Sequence, residues 1–573
     1  MSAALACSAA AQPATRGPHP TATPAAEVRA DTVEALLRSL TVRQKVAQLV
    51  MPWILGDSVA DSHETMRRAY NWVENLELGG VIVSTGTPLH IADKMNRLQR
   101  RAKLPLLVSA DFEAGTTLRM ATATPFPTQM GIAATGNPEY ARVMGRVTAA
   151  EGRAVGVHLA FAPVADVNSN PDNPIINTRS FGGDPRDVAR FVTAAIEGMR
   201  EGGILSTAKH FPGHGDTETD SHLALPTITA PWSRFDTLEL VPFRAAIAAG
   251  VDAVMTAHIA LPALDNGERR AGTLSPAILT GILRDSLGYQ GLVATDALDM
   301  GAIAKEIGPS EAVVRAFEAG SDLLLMPTNP AAAIDAMVQA IESGRISQAR
   351  LDASVRRILE FKQRMGLFEN RFVDLDQVRQ VVANQQFLAQ AREITEHSLV
   401  LLKDSLGTVA RLRQGPTSVT LISVSDRPLG RTLAAELRSA GYTVNSIEVG
   451  AEPTAEQRSR VDAALRNSPL TILATAVRWG SARGSIGLSP ATAQFLDGVA
   501  RRQPTVLVSF GSPYVVRQVP SASSYLIGWA STAMAERAVA SALAGRTAIT
   551  GTAPIEIPPG FPIRSGIRLE TAR

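Results

Sequence analysis

ILSTAKHFPGHGDTETDSH, residues 204–222, joins an apolar run to a loop crowded with ionisable groups. The run ILSTAKHF (204–211) has the length and continuity of a strand buried on both faces. It follows GGDPRDVARFVTAAIEGMREGG (182–203), which reads as a helix. Asp184 can cap the free amides there, Pro185 fits the first turn, and Gly202-Gly203 ends the helix before the strand. The same unit recurs along the chain. Earlier runs are KVAQLVMPWI (45–54), GGVIVS (79–84), PLLVSAD (105–111) and VHLAFAPVADV (157–167). Later ones are AVMTAHI (253–259), GLVATDA (291–297) and SDLLLMP (321–327), and residues 347–368 read as a closing amphipathic helix. Eight apolar strands alternating with helical patterns predict a (β/α)8 barrel of the TIM type.

A second αβ alternation follows, with strands at 418–424, 442–449, 470–477, 505–510 and 524–530. It predicts an open, mostly parallel αβα sandwich of three layers. No Gly-rich phosphate fingerprint opens its first helix, so a nucleotide site has no support there. The expected organisation is a tail over 1–30, a catalytic barrel over 31–370, a linker over 371–405 and the sandwich over 406–573. A chain of 573 residues has the length for more than one core.

Hydrophobic residues make up 45%, charged residues 19%, and the net charge is +2. That is the composition of a globular protein with no general attraction to nucleic acid or anionic membrane. No segment reaches the ~18 uninterrupted apolar residues of a membrane-crossing helix. Cys7 is the one cysteine, so no intrachain disulfide can form. It ends Ala-Leu-Ala-Cys, similar to the close of a bacterial lipoprotein signal, but without the basic start and apolar run upstream. If Cys7 marks a shortened signal, an extracytoplasmic or lipid-anchored location follows; otherwise the expectation is cytoplasmic. The Pro/Ala/Thr-rich tract to about residue 29 reads as a disordered linker.

Barrel enzymes gather their chemistry at the carboxyl ends of the strands. Those ends carry Asp111, Lys209-His210, His258 and Asp296. Three of the nine histidines, His210, His214 and His222, fall within 209–222. One possibility is a metal site with ligands from His210, His214, Asp216, Asp220 and His222, though a glycine-containing loop gives such ligands no common facing. The other is a dyad. In Asp220-Ser221-His222 the carboxylate can hold one imidazole nitrogen while the other exchanges protons with a reacting group. Asp296 would supply the nucleophile or ion-stabilising carboxylate, and Asp299 is expected in the first turn of the following helix, favouring its dipole. Gly213 and Gly215 suggest a mobile loop that closes over its ligand.

These residues carry a resemblance. KHFPGHGDT (209–217) with DSH (220–222), TPFPTQMGIAATGN (124–137), FAPVADVN (161–168), INTRSFGGDP (176–185), VMTAHI (254–259), TDALDM (295–300) and EITEHSLVLLKD (393–404) resemble family 3 glycoside hydrolases, in particular the β-N-acetylhexosaminidase branch. The resemblance implies Asp296 as nucleophile, His222 as acid/base and Asp220 as its partner. It implies Asp111, Arg179, Lys209 and His210 as holders of sugar hydroxyls, with His258 near the same pocket; His214 and Asp216 shape the loop. The expected substrate is a terminal β-N-acetylglucosaminide, such as a peptidoglycan fragment, with no cofactor or metal. One departure is DFEAGTTLRM (111–120), where relatives carry Gly-Gly-Arg after the acidic pair; here Ala114 replaces the first glycine and no arginine follows Gly115 directly. The alternatives are a β-glucosidase or β-xylosidase, a phosphorylase using phosphate as acceptor, a metal-dependent hydrolase, or a binding protein without turnover. The second unit is expected to wall the cleft or to pack against the barrel.

Overall fold

Helix Pro185–Glu201 starts as its sequence requires: the Asp184 side chain accepts from the amides of Arg186 and Asp187, Pro185 occupies the first turn, and Gly202 closes the other end. Strand Thr207–Phe211 then runs fully buried. The computed structural model describes residues 30–450, 452–480 and 486–572. The N-terminal tail with Cys7 lies outside them.

Seven further strands follow the same plan, all in parallel register. Trp53–Ile54 pairs with Gly80–Val83, which pairs with Leu107–Ala110, and that with Leu159–Ala160. Bridges from Leu159 to Leu205 and from Val164 to Lys209 lead to Thr207–Phe211. Ala253–Thr256 and Leu292–Ala294 come next, and a bridge from Ala294 to Leu323 reaches Leu324–Leu325. This last strand pairs with Val50–Met51. Neighbour therefore follows neighbour from the first strand to the last and back to the first.

The first run is shorter than expected. Residues Val42–Ala47 form a helix, because Thr41 and Gln44 make a reciprocal capping box. Pro52, with no amide to donate, divides the strand into Val50–Met51 and Trp53–Ile54. In 157–167 only Leu159–Ala160 is a regular strand, although the Ala165 amide still donates to the Lys209 carbonyl.

The second unit has six strands where five were expected. The stretch 371–405, read as a linker, holds helices Leu375–Val381 and Gln385–His397 and strand Val400–Asp404. That strand is the antiparallel edge of the second sheet, against Ser524–Ile527. Beyond it lie Thr505–Ser509, Leu470–Thr475, Ser418–Val424 and Thr443–Val449, all parallel. Strand alternation makes the three layers. Leu421, Ile472 and Val508 pack with Leu433 and Val539 from two helices on one face. Their neighbours Ile422, Leu473 and Leu507 pack with Val461 and Leu496 from two helices on the other. Among the described residues no helix is long and apolar enough to cross a membrane.

The carboxyl edges of the two sheets face each other. Tyr514, beyond Thr505–Ser509, accepts from Asn168 Nδ2 at 2.8 Å, and Arg517 pairs with Asp172 at 2.7 Å. Trp529, beyond Ser524–Ile527, is fully buried and lies against Gly131, where a Cβ would meet it at 2.6 Å. The crevice outside the carboxyl ends of an open parallel sheet is where such folds place ligands. Here the barrel mouth occupies it.

Candidate active site

Asp111, Arg179, Lys209, His210, His222 and Asp296 line one cavity of about 410 Å³ at the barrel mouth. The sequence expectations place them on four different strand ends or loops; the fold brings them together. His258 and Asp220 stand behind the cavity wall.

The deep end is built on ion pairs. Lys209, 2% exposed, donates from Nζ to Asp111 Oδ1 at 2.9 Å and meets Glu113 Oε1 at 2.8 Å. Arg179 grips Glu113 in bidentate fashion, Nε to Oε2 at 2.9 Å and Nη2 to Oε1 at 2.7 Å, and its Nη1 donates to the Ile175 carbonyl. Burial alone would raise the Asp111 carboxyl, but the charges of Lys209 and Arg119 outweigh it and hold it at about 2. Glu113 is likewise pulled below the usual carboxylate range, with Arg179 and Lys209 overcoming burial. Burial opposes the charge of Lys209, yet Asp111 and Glu113 raise its pKa. The end wall is thus a fixed array of charges, its donors and acceptors aimed at whatever enters.

His210 is held by Asp166. Its Nδ1 lies 2.7 Å from Asp166 Oδ2, and the same carboxylate accepts from the amides of His210 and His214. Asp166 is lowered because the His210 and His214 interactions outweigh its burial. An ionised carboxylate only accepts, so Nδ1 carries the proton and Nε2 accepts from Arg179 Nη2 at 3.2 Å.

The dyad has the expected form. Asp220 Oδ1 accepts from the His222 amide at 2.9 Å and from His222 Nδ1 at 2.8 Å. Asp220 is wholly buried at its side chain while the His222 ring is 28% exposed, so the free nitrogen looks into the cavity from a carboxylate-backed ring. The segment after Asp296 docks on this loop. The amides of Gly301 and Ala302 donate to the carbonyls of His222 and Ser221, both at 3.2 Å. A Cβ at position 301 would lie 2.7 Å from the His222 carbonyl oxygen, so only glycine permits the approach. This backbone seam sets Asp296 and His222 on one side of the cavity. Burial opposes ionisation of Asp296, but the facing imidazoles of His258, His210 and His222 lower its pKa.

His258 does not take the substrate-contacting place expected of it. It is fully buried. Its Nε2 donates to the Ala297 carbonyl at 2.9 Å and its Nδ1 lies 2.7 Å from the Thr273 hydroxyl oxygen. Thr273 in turn meets Thr256, whose Oγ1 accepts from the Asp296 amide at 3.3 Å. Burial lowers the His258 pKa. The ring fixes the backbone around Asp296 rather than a sugar.

His214 and Asp216 face inward to the loop itself. Both nitrogens of His214 are engaged, by Thr217 at 2.9 Å and Ser221 at 3.0 Å, and burial takes its pKa down to about 4. Asp216 accepts from Arg234 at 2.8 Å. Among the described residues no three His, Cys, Asp or Glu side chains gather as a metal site. The glycines serve packing: a Cβ at 215 would sit 1.7 Å from the Val167 carbonyl oxygen, and one at 213 would meet Glu239.

Four residues escaped sequence reasoning. Arg119 donates to Asp111 Oδ2 at 2.7 Å, so a guanidinium reaches this carboxylate from four residues beyond Gly115. Glu113 was visible only as the second member of an acidic pair, and Asp166 was read as strand. Trp479 comes from the sandwich, where its ring covers the Arg179 guanidinium at 4.6 Å and lines the cavity. No local pattern marks it.

A barrel with a carboxylate and a carboxylate-backed imidazole at its mouth has the form of a glycoside-cleaving enzyme. Residues 41–361 match the model described as glycosyl hydrolase family 3 N terminal domain. A β-N-acetylglucosaminidase/β-glucosidase of Cellulomonas fimi is 32% identical over 84% of this chain and 89% of its own length. The chain belongs to glycosyl hydrolase family 3. The structure of a family 3 β-N-acetylglucosaminidase from a Paenibacillus strain superposes with a TM-score of 0.79 at 34% identity, covering 90% of this chain and 99% of that one. A β-glucoside phosphorylase superposes at 0.82 with 26% identity, covering 92% and 96%.

Proposed function

We propose that the protein is a retaining exo-glycosidase that releases terminal β-N-acetylglucosamine. The observation that carries this is the pairing, on one side of one cavity, of Asp296 with an imidazole backed by a buried carboxylate. The names of the Cellulomonas and Paenibacillus relatives support the sugar. The ion-paired deep end supports exo action, because a chain end enters a closed wall and cannot pass through.

In this reading a terminal sugar lies against Asp111, Arg119, Arg179, Lys209 and His210. Asp296 attacks the anomeric carbon while His222 protonates the leaving oxygen, and the Asp220 carboxylate offsets the charge on the imidazolium. The glycosyl ester on Asp296 is then opened by water. Its proton passes to His222, and two inversions give retention. His258, through the Ala297 carbonyl and the two threonines, positions Asp296.

A 2-fluoro or 5-fluoro glycosyl donor tests the assignment. The peptide containing Asp296 should gain the mass of the fluorosugar, and label on another carboxylate would refute the nucleophile. A panel of nitrophenyl glycosides tests the sugar: a clear preference for glucoside or xyloside over the N-acetylglucosaminide would overturn the substrate.

A further inference from the structure

Of the four carboxylates lining the cavity, two are neutralised in place: Asp111 by Lys209 and Arg119, and Glu113 by Arg179 and Lys209. The remaining two are Asp296 and Asp299. Asp299 was expected in the first turn of a helix, but that helix begins only at Gly301, is four residues long, and receives no side-chain cap. Asp299 is exposed instead and lines the cavity, outside the ion pairs of the deep wall. Asp299 lines the same cavity as Asp296 and His222, three residues along the chain from Asp296, and partial burial and the Asp296 charge raise its pKa against a hydrogen bond to its own backbone.

The consequence appears at the second step, and rests on the activity proposed above. In the glycosyl-enzyme the Asp296 carboxylate is an ester and carries no charge. The three cations lining the cavity lie in the deep wall, where they exceed Asp111 and Glu113 by one charge, and Asp220 is buried behind His222. Asp299 is then the one lining carboxylate that stands outside both the ester and the ion pairs of the deep wall. With water, an O–C1 bond forms, the ester C1–O bond breaks with its electron pair returning to Asp296, and the proton goes to His222. With phosphate dianion the same bonds form and break, and no proton need move. An acceptor anion therefore meets no catalytic obstacle in the imidazole; it meets the field of a like charge in a partly desolvated cleft. We propose that Asp299 is a specificity-determining residue that favours neutral acceptors, water or a sugar hydroxyl, over phosphate.

The test is the partition of the glycosyl group, read as products and independent of overall rate. Full-length enzyme turns over 4-nitrophenyl β-N-acetylglucosaminide with graded phosphate at constant ionic strength, and free sugar and sugar 1-phosphate are quantified. Wild type should yield mainly free sugar. Asp299→Asn and Asp299→Ser should each raise the sugar-phosphate share about tenfold, the effect of one like charge at close range in such a cleft. Asp299→Glu should keep it low. Methanol as acceptor supplies the control, since its glycoside share should be the same in all four proteins. An unchanged phosphate share in both neutral variants overturns the proposal, as does a wild type that already passes most of its sugar to phosphate. A methanol share rising in step with phosphate also overturns it, because a loosened pocket and not charge would then be the cause. Release of nitrophenol without any change in partition sinks this inference alone; no release by wild type sinks the activity and this inference with it.

Discussion

Asp166 shows how much of the deep end of the cavity depends on a residue outside its lining. It accepts from two amides and one ring nitrogen, and so sets which face of His210 carries a proton. Asp166→Asn should leave His210 free to turn, and KM for the glycoside should rise about tenfold, the loss of one well-placed hydrogen bond. Under the proposed mechanism Asp296 and His222 make a sharper pair of expectations. Asp296→Ala should reduce kcat by on the order of 10³-fold or more, since the covalent route is removed. His222→Ala should cost about 10²–10⁴ in kcat/KM for a nitrophenyl glycoside and distinctly less for a dinitrophenyl one, whose leaving group needs no proton. Equal losses on both substrates would take the acid role from His222. Asp296 is legible in the sequence because it follows an apolar run directly, and His222 because Asp220 stands two residues before it. His258 was legible for the same reason as Asp296 and still misread: position at a strand end places a ring near the mouth, but only its two hydrogen bonds show which way it is used.

At the scale of the element, the loop 209–222 is held from behind by close packing. Gly301→Ala would drive a methyl group against the His222 carbonyl; with the fold retained by circular dichroism, kcat should fall about 10²-fold, the cost of displacing a catalytic group by about 1 Å. Glu239 gives a pH-dependent expectation. It is buried against Gly213, its oxygens lack hydrogen-bond donors, and Arg234 lies 3.2 Å from one of them. Burial raises its pKa from 4.5 to about 6. The folded protein then binds this proton more tightly than the unfolded chain does. Stability contributed below pH 4.5 is lost as pH rises through 6. Glu239→Gln should therefore be more stable than wild type by about 1–2 kcal/mol at neutral pH, less whatever the Arg234 contact returns, and no more stable below pH 4.5. Paired thermal melts at the two pH values check it. The capped helix Pro185–Glu201 follows from local chemistry, and so does the helix at Val42–Ala47, whose Thr41–Gln44 capping box is masked in the sequence by the apolar run that begins at Lys45.

Across the whole molecule, the barrel mouth is roofed by the sandwich. Trp529 anchors this contact, buried beside Gly131 and donating to the Ser398 carbonyl at 2.7 Å. Trp529→Ala should destabilise the protein by about 3–5 kcal/mol, measured by denaturant unfolding. Trp479 acts nearer the chemistry, over the face of Arg179. The sequence alone determined the two αβ units, the strand ends that bear Asp111, Lys209 and Asp296, and the Asp220–His222 pair. Each of these is written in a local pattern of apolar runs, caps and short spacings. The tertiary structure decided that Arg119 and Trp479 share the cavity, that His258 serves the backbone, and that Asp299 lines the mouth instead of opening a helix. Such facts depend on which surfaces of distant segments pack together, and packing between remote segments leaves no periodicity in the chain.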